Sequence, residues 1–390
     1  MDFALPEEIV LLRQSVRRFV DEELMPLEAD YKDAPDIPDD DRTRLQRKAM
    51  DLGFWAMELP ESVGGANLGQ LAMCVVYEEL SRCLVPAFRA QTIFTPYLGP
   101  VLLGLEGELR ERFLMPVVRG ECRTCFALTE PDAGSDPSRM KTSARKDGDH
   151  WLLSGTKIFI SGANKSAFAQ VFAKTGQDAD GRPLISCFLV EMDRPGVSLG
   201  QSFDLMSPDK PWELVLDNVE VPAAQLVGEE GRGWELARSF LDLGRLVHGP
   251  KAIGRAERAL AHAVDYAKER VTFGQPLASR QAIQWMIADS AVEIHAARMM
   301  TYQAAWKADQ GEDFHVEASA VKLFADEMLM RVADRAIQIH GGIGLSRELP
   351  LENIYRDARS RLITEGSSEM QRMIVGAEMI SGRRGGSLFC

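Results

Sequence analysis

The stretch FALTEPDAGSD, residues 126–136, lies where one type of sequence pattern gives way to another. It opens with apolar residues typical of a strand that leaves a core, and continues into Thr, Pro, Asp, Gly and Ser, which favour turns. Ala133, Gly134 and Ser135 are small, so a ligand could approach the backbone there. A plain surface loop would show the same composition, and that alternative stays open.

On the N-terminal side of this stretch the apolar residues follow a helical period, as in DRTRLQRKAMDLGFWAM (41–57) and LAMCVVYEELSRCL (71–84). On the C-terminal side, short β-branched and aromatic runs are divided by Gly, Asp and Pro. Examples are HWLLSGTKIFISG (150–162), LISCFLVEM (184–192) and PWELVLDNVEVP (211–222). These runs predict a small antiparallel β domain.

After residue 229 the helical period returns in longer segments, which predicts an up-and-down bundle. The predicted fold class is therefore α+β in three parts. Residues 1–121 form an N-terminal α-helical domain, residues 122–228 a central antiparallel β domain, and residues 229–390 a C-terminal domain resembling a four-helix bundle.

The charge and composition of the chain argue against several classes of function. The 390 residues carry a formal net charge of −13, which argues against a nucleic-acid partner because phosphate binding needs a basic surface. No apolar run is long enough to span a bilayer. The N-terminus lacks the order of a signal peptide and is too acidic for a transit peptide, which favours the cytosol. Cys122 and Cys125 are interpreted as small core residues, because no second ligand cluster accompanies them and no metal site is therefore expected.

Two further stretches could contact a ligand. In KIFISG (157–162), Phe159 and Ser161 are predicted to share one face of a strand, where they could offer an aromatic wall and a hydroxyl or simply make core contacts. In QIHGGIGL (338–345), the glycines either end a helix or permit close backbone contact with a ligand, with Gln338 one turn earlier. This is not a dinucleotide-binding fingerprint, because it follows a helix instead of a strand.

The stretch LITEGSSEMQR (362–372) contains the main candidate for a catalytic base. Ser368 and Gln371 have capping-box spacing, which predicts that a helix starts here. Glu365 immediately precedes it. An isolated Glu in this position is usually structural or solvated, but an apolar pocket would raise its pKa and allow it to act as a base. His248 and His340 are interpreted as packing residues, and no G-x-S-x-G elbow supports a hydrolase.

Together these stretches resemble the acyl-CoA dehydrogenase family of flavoproteins across nearly the whole chain. ALTEPDAGSD (127–136), RVTFGQPLASRQAI (270–283) and QIHGGIGLSRELPLENIYRD (338–357) are similar to its signatures, in order and at plausible spacing. Gly244, where many members have Thr or Ser, and Thr364, where an aromatic is common, depart from the pattern and bear on substrate choice. Two stretches favour the subgroup of the family that is sometimes fused to kinase-like domains: SPDKPWELVLDNVEVP (207–222) and RLVHGPKAIGRAERAL (245–260).

The resemblance implies an FAD site and an acyl-CoA site. Glu365 falls on the position of the catalytic base. Substrate contacts are implied for Ser135, Asp242, Arg245 and Gly366. FAD contacts are implied for Phe126, Leu128, Thr129, Gly134, Ser135, Phe159, Ser161, Arg270, Thr272, Phe273, Gln281, Gln338, Gly341, Gly342, Ser367 and Glu369, of which Arg270, Thr272, Phe273 and the 338–342 segment would act across a subunit boundary.

The implied activity is FAD-dependent dehydrogenation of an acyl-CoA to the trans-2-enoyl-CoA, with electrons passed to an electron-transfer flavoprotein. A homo-oligomer is expected, as a tetramer built from two dimers. One alternative is a relative that uses oxygen as acceptor, as acyl-CoA oxidases do. Another, from a different class, is a flavin-free helical interaction protein; intact Glu365 and both signature loops weigh against it.

Overall fold

The computed structural model describes residues 4–85 and 91–382. Its N-terminal part is helical, as predicted, and packs around an aromatic cluster in which the Phe19 and Phe94 rings lie 5.0 Å apart and the Phe54 and Phe94 rings 5.1 Å apart. The described α-helices of this part are α1 (Glu7–Phe19), α2 (Glu28–Tyr31), α3 (Asp39–Asp51), α4 (Gln70–Leu80), α5 (Gly99–Leu103), α6 (Gly107–Leu109) and α7 (Met115–Val118).

The central part is one eight-stranded sheet, in the order β6-β7-β3-β2-β4-β5-β8, with β1 added alongside β4. Most pairs are antiparallel, as the alternating runs predict, whereas β1 and one position of β2 pair with β4 in parallel. The strands are β1 (Thr124–Ala127), β2 (Ser143–Asp147), β3 (His150–Ile160), β4 (Phe168–Gln177), β5 (Pro183–Glu191), β6 (Val197–Ser202), β7 (Trp212–Pro222) and β8 (Leu226–Val227).

Long helices form the C-terminal part. Those described are α8 (Gly233–Glu269), α9 (Gln281–Asp309), α10 (His315–His340), α11 (Leu351–Arg361) and α12 (Ser368–Ser381). Alanines recur along the buried face of α8 at 252, 256, 259, 263 and 267, so α9 and α10 can approach it closely. A short hairpin, β9 (Val271–Thr272) and β10 (Gln275–Pro276), joins α8 to α9. The predicted α, β, α order is confirmed.

Apolar contacts join the helical and sheet layers. Phe113, which follows α6, meets Phe168 of β4 with ring centroids 4.9 Å apart, and Phe126 of β1 stacks on Phe240 of α8 at 4.5 Å. The strand end at Ala127 and the first turns of α8 are therefore fixed against each other.

Residues 4–85 and 91–382 were predicted from composition to contain neither a membrane span nor a metal site, and the structure of that part shows the following. In that part of the chain no helix combines the length and apolarity needed to cross a membrane, and no cluster of His, Cys, Asp or Glu could hold a metal ion. Cys125 is buried and Cys122 partly buried, and burial raises the pKa of both thiols. These cysteines behave as core residues.

Candidate active site

The loop between α11 and α12 holds Glu365 in an uncommon backbone conformation. Glu365 has a φ of +54°, a region that residues with a Cβ seldom adopt outside functional sites. The Gln371 side-chain amide donates to the carbonyls of Glu365, at 3.3 Å, and Gly366, at 3.0 Å. Ser367, one residue before the predicted Ser368, caps α12 by accepting the Met370 amide at 3.4 Å. The loop therefore presents the Glu365 side chain in a fixed direction.

The Glu365 carboxylate lies against α8. Its Oε2 atom is 3.7 Å from His248 Nε2, while the side chain as a whole keeps 31% of its exposure. A Cβ added to Gly244 would stand 2.2 Å from Oε2, well inside contact distance. The carboxylate thus occupies the space that any side chain at position 244 would fill. Within the described residues Oε2 is buried and has no hydrogen-bond partner.

A network of buried charged side chains contacts His248 through the ring nitrogen that does not face Glu365. His248 Nδ1 lies 2.7 Å from Asp326 Oδ2, and Lys322 Nζ is 3.3 Å from the same oxygen. Arg361 Nε donates to the other Asp326 oxygen at 3.1 Å, and its Nη2 donates to the His248 carbonyl. Burial opposes ionisation of Asp326, but the charges of His248 and Arg361 outweigh it and lower its pKa to about 2.

Glu365 is an ionised carboxylate in this structure. Burial would raise its pKa, but the contact with His248 and the charges of Lys251 and Arg361 outweigh burial and lower the pKa to about 2. The rise in pKa that an apolar pocket would cause does not occur in the free protein, because α8 and α11 line this side with cationic groups. The carboxylate is therefore unprotonated at neutral pH, and its pKa must rise before it can act as an effective base.

Asp242 and Arg245 lie on α8 beside Gly244. Arg245 Nη1 donates to Asp242 Oδ1 at 3.0 Å, and His315 Nδ1 is 2.7 Å from the same oxygen. Arg245 is only 8% exposed, and its charge acts on Glu365. Two side chains therefore contact the Asp242 carboxylate, whereas within the described residues Glu365 keeps a carboxylate oxygen without a hydrogen bond.

The loop after β1 is anchored on β3 through a buried ion pair. Lys157 Nζ lies 2.8 Å from Glu130 Oε1 and donates to the Leu128 carbonyl at 3.1 Å, and the Ile158 amide donates to the Thr129 carbonyl at 2.9 Å. Phe126 packs on Phe240, as described above. Gly134 and Ser135 remain exposed. The loop is rigid at its base and open at its tip.

Phe159 and Ser161 do not share a strand face. A bulge interrupts the pairing of β3 with β7 between residues 157 and 160, and Phe159 takes a φ of +58°. Its ring is 50% exposed and lies 4.6 Å from the Phe203 ring. Ser161 follows the end of β3 and donates its hydroxyl to Asp209 at 2.6 Å. The bulge, which the alternating pattern could not reveal, turns an aromatic ring towards solvent.

The remaining predicted contacts gather at one end of the bundle. Tyr266 of α8 stacks on His340 of α10 with centroids 4.4 Å apart, which brings the two helix ends together. Gly341 has φ +63° and ψ −141°, a conformation that requires glycine. Phe273 at the hairpin tip is 98% exposed. Also exposed or partly exposed here are Arg270, Thr272, Gln281, Gln338 and Gly342.

The residues present fit an FAD molecule. A flat ring requires an exposed aromatic surface, which Phe159 offers, and a pyrophosphate requires free backbone amides, which the exposed Gly134–Ser135 tip offers. Near Ser367 and Glu369, the buried Ser368 Oγ and Gln371 Oε1 lack hydrogen-bond partners in the described part of the chain. Buried polar atoms in this state indicate a missing ligand or water.

His248 and Asp326 were not identified from the sequence. His248 was interpreted as a packing residue because its partners are remote in sequence and no local spacing links them. One sequence pattern could have indicated that His248 lies near the site. Gly244 and His248 are one helical turn apart and Lys251 follows three residues later, so a polar face interrupts a helix otherwise rich in apolar residues.

Comparisons with known proteins identify similar chains along the whole length of this one. The profile of the acyl-CoA dehydrogenase N-terminal domain matches residues 6–121, that of the middle domain 125–219 and that of the C-terminal domain 231–380. The chain is 36% identical to (R)-benzylsuccinyl-CoA dehydrogenase from Thauera aromatica over 98% of each chain. It is 38% identical to the mitochondrial short-chain specific acyl-CoA dehydrogenase from Bos taurus, over 97% of this chain and 92% of that one.

Among solved structures, a chain in the one described as the electron transferring flavoprotein of Acidaminococcus fermentans superposes with a TM-score of 0.87. It is 34% identical and covers 97% of this chain and 100% of that chain. Three domain matches in order, full-length relatives and a matching fold lead to one conclusion. The chain belongs to the acyl-CoA dehydrogenase family and is an FAD-dependent enzyme of that family.

Proposed function

We propose that this protein oxidises the Cα–Cβ bond of an acyl-CoA thioester to the trans-2-enoyl-CoA, with Glu365 as the base. The observation that carries the proposal is the state of the Glu365 carboxylate. It is ionised, held by a loop of defined geometry, partly exposed, and one oxygen has no hydrogen-bond partner within the described residues. A general base must be unprotonated when substrate arrives, and it becomes strong enough only when binding raises its pKa.

The chain's own residues would divide the work as follows. The Glu365 backbone amide would donate to the thioester carbonyl and so acidify the α-hydrogen, as the family resemblance implies. The Glu365 carboxylate would then take the α-proton. When bound, FAD supplies the acceptor for the hydride that leaves Cβ. Bound substrate would also expel water and raise the pKa of Glu365 from its low value in the free protein.

Other site residues would bind and orient the two ligands. Arg245 and Asp242 would contact the CoA-bearing part of the substrate, as the resemblance implies, and Ser135 and Gly366 would contact the same molecule. Phe126, Leu128, Thr129 and Gly134 would line the flavin from the β1 loop. Phe159 and Ser161 would back its ring from β3, with Ser367 and Glu369 near the cofactor from α12.

We also propose an electron-transfer flavoprotein as the physiological acceptor. Support comes from the resemblance and from the A. fermentans structure whose description names such a protein. Membership of the kinase-fused subgroup remains our proposal, on the two motifs that suggested it, and a cytosolic location likewise remains a proposal. Domain limits at 121/122 and 228/229 likewise remain predictions.

An anaerobic titration with acyl-CoAs tests the proposed function. Protein loaded with FAD should lose its flavin absorbance when mixed with at least one member of a panel that varies chain length and branching, and enoyl-CoA should form in equal amount. Bleaching without enoyl-CoA, or no bleaching by any member, would contradict the proposal. Rapid recovery of absorbance in air would indicate the oxidase-like alternative.

We propose a homotetramer, because the C-terminal helices expose apolar side chains in rows. On α9, Trp285 is 60% and Val292 68% exposed, and on α12, Met373 is 59% and Ile380 89% exposed. Each pair is two helical turns apart, so both members lie on one face. Contiguous apolar faces of this kind are typical of subunit interfaces.

Light scattering of the FAD-loaded protein should give a mass near four times the 43.3 kDa of the chain. Trp285→Asp should lower that mass by placing a charge in the interface, whereas Leu11→Asp, at a 54% exposed position of α1, should not. A wild-type monomer that is saturated with FAD would contradict the prediction.

A further inference from the structure

His248 lies between two carboxylates that belong to different parts of the chain. Its Nδ1 atom is 2.7 Å from Asp326 Oδ2, and its Nε2 atom is 3.7 Å from Glu365 Oε2. The residue is 5% exposed, so water competes little for either ring nitrogen. Because Asp326 engages Nδ1, Nε2 is the nitrogen that can interact with Glu365.

The direction of the His248 ring is fixed by groups other than Glu365. Asp326 is fully buried, and Lys322 Nζ and Arg361 Nε lie 3.3 Å and 3.1 Å from its two oxygens. Arg361 also donates to the His248 carbonyl at 3.1 Å. A carboxylate that is itself held can fix the orientation of an imidazole, as in catalytic triads. Nε2 is therefore aimed at the site by the surrounding protein.

The Glu365 carboxylate has one buried oxygen. Oε2 is buried and accepts no hydrogen bond from the described residues, whereas the side chain as a whole is 31% exposed. The exposure therefore belongs to the rest of the side chain. A separation of 3.7 Å is longer than a hydrogen bond, but catalytic contacts in enzymes without substrate are often long and tighten when substrate binds. Gly244 leaves the room that this contact needs, because a Cβ there would stand 2.2 Å from Oε2.

We propose that His248 is a positioning residue for the base: Asp326 fixes its ring, and its Nε2 atom holds the buried oxygen of Glu365 so that the other oxygen faces the substrate. A carboxylate with one oxygen held loses rotational freedom, which keeps the second oxygen in place for the α-proton. This inference rests on the proposed function, because it assigns a partner to the base of that reaction.

The same contact sets the pH range in which the base works. Burial would raise the pKa of Glu365, but the hydrogen bonding and charge of His248 are the largest opposing effects, and the pKa falls to about 2. The other charged groups shown to interact with Glu365 are Arg245 and Lys251 on α8, Lys322 on α10 and Arg361 on α11. Replacing His248 should raise the pKa of Glu365, so that the base becomes protonated, and inactive, at a higher pH than in the wild type.

Two amide variants of His248 test the positioning role. The NH2 group of Gln lies at about the depth of Nε2 and that of Asn at about the depth of Nδ1. His248→Gln can therefore still donate to Glu365, whereas His248→Asn can donate only to Asp326. In His248→Asn, kcat for anaerobic flavin reduction by an acyl-CoA should fall by roughly one to two orders of magnitude, the scale of a misplaced catalytic group. KM should change little, and His248→Gln should recover most of the loss.

The pH dependence of kcat/KM separates this role from packing. The wild type should show no acid limb from the base down to about pH 5, because a carboxyl whose pKa is about 2 stays ionised there. His248→Asn should show such a limb. Gly244→Ala should show it too, since the added methyl group displaces Oε2 from His248 while alanine favours the helix.

His150→Asn is the matched control for these profiles. The His150 ring also lies beside a carboxylate, with Nδ1 3.1 Å from Asp149 Oδ1, at a partly exposed position of β3. This variant should keep the wild-type kcat and pH profile. The same acyl-CoA is used throughout, so titration of the substrate contributes equally to every profile.

Carbodiimide labelling gives a readout that needs no turnover. The reagent attacks protonated carboxyl groups, so at mildly acidic pH Glu365 should be labelled more slowly in the FAD-loaded wild type than in His248→Asn. Peptide mass spectrometry measures the labelling, and the exposed Glu108 serves as the internal reference in each protein. Labelling of the wild type alone tests the contact if a variant does not fold, since Glu365 should then be labelled more slowly than Glu108.

Three results would overturn the inference while the proposed function stands. The first is a wild-type kcat and pH profile in His248→Asn. The second is a larger loss in His248→Gln than in His248→Asn, which would show that His248 serves only to pair with Asp326. The third is labelling of Glu365 at the same rate in the wild type and in His248→Asn. Absence of flavin reduction by any acyl-CoA would instead show that the proposed function itself is wrong.

Discussion

Glu365→Gln is expected to lower the rate of flavin reduction by an acyl-CoA by roughly two to four orders of magnitude, the usual contribution of a general base. Glutamine keeps the size of the side chain and most of its hydrogen bonding but cannot accept the α-proton. FAD content and binding of the enoyl-CoA product should change little, because neither requires that proton transfer. Stopped-flow absorbance of the flavin under anaerobic conditions measures the rate directly.

Glu108→Gln, at an exposed position of α6, is the matched control and should reduce its flavin at the wild-type rate. If Glu365→Gln stays within about tenfold of wild type, below the lower limit for a lost base, the base lies elsewhere. Asp242 would then be the next candidate. The structure argues against it, because Arg245 and His315 both hold its carboxylate.

Asp326→Ala is expected to lower the free energy of unfolding by about 3–5 kcal/mol, the cost of breaking a buried ion pair from one side. Asp326 is fully buried and is the shared anion for His248, Lys322 and Arg361. Its removal leaves cationic groups desolvated without a partner. Urea unfolding of the FAD-loaded protein, followed by fluorescence, measures the loss.

Asp326→Asn keeps the shape of the side chain and separates lost charge from lost packing. Asp180→Ala, in the exposed turn between β4 and β5, should change stability by less than about 0.5 kcal/mol. A loss below about 1 kcal/mol in Asp326→Ala, well under the range for breaking a buried pair, would show that the network contributes little.

The pKa of Asp326 predicts how the free energy of unfolding changes in acid. The native pKa of Asp326 is lowered to about 2, whereas the unfolded value is about 3.9. A depressed native pKa stabilises the folded state above the unfolded pKa, and that stabilisation, of order 2–3 kcal/mol, disappears as the pH falls through about 2. The stability gap between wild type and Asp326→Asn should therefore narrow between about pH 4 and pH 2.

Local sequence patterns predicted the order of the three parts well. Helical period, β-branched runs and turn residues are local properties, and they indicate element type without any knowledge of packing. The long motifs around residues 127–136 and 338–357 likewise indicated the family without any knowledge of packing. Glu365 could be predicted as the base for the same reason, since that interpretation depends on the local motif in which it stands.

The surroundings of Glu365 could not be predicted in this way. His248, Asp326 and Arg361 belong to three different helices, and only tertiary packing brings them together. The low pKa of Glu365 depends on those contacts, and its direction is opposite to the rise that an apolar pocket would cause. The bulge at the end of β3 is a similar case, because one left-handed residue, Phe159, cancels the alternation on which a shared strand face depends.

The missing side chain at position 244 has a consequence for how this site could have evolved. The Glu365 carboxylate reaches His248 through the volume that a Cβ at 244 would occupy, so the two α8 positions are epistatic. A histidine at 248 is therefore expected to affect the carboxylate most when position 244 is glycine, which would make that glycine permissive for the contact. In a Gly244→Ala background, the effect of replacing His248 should accordingly shrink, and a double-mutant cycle would measure that coupling.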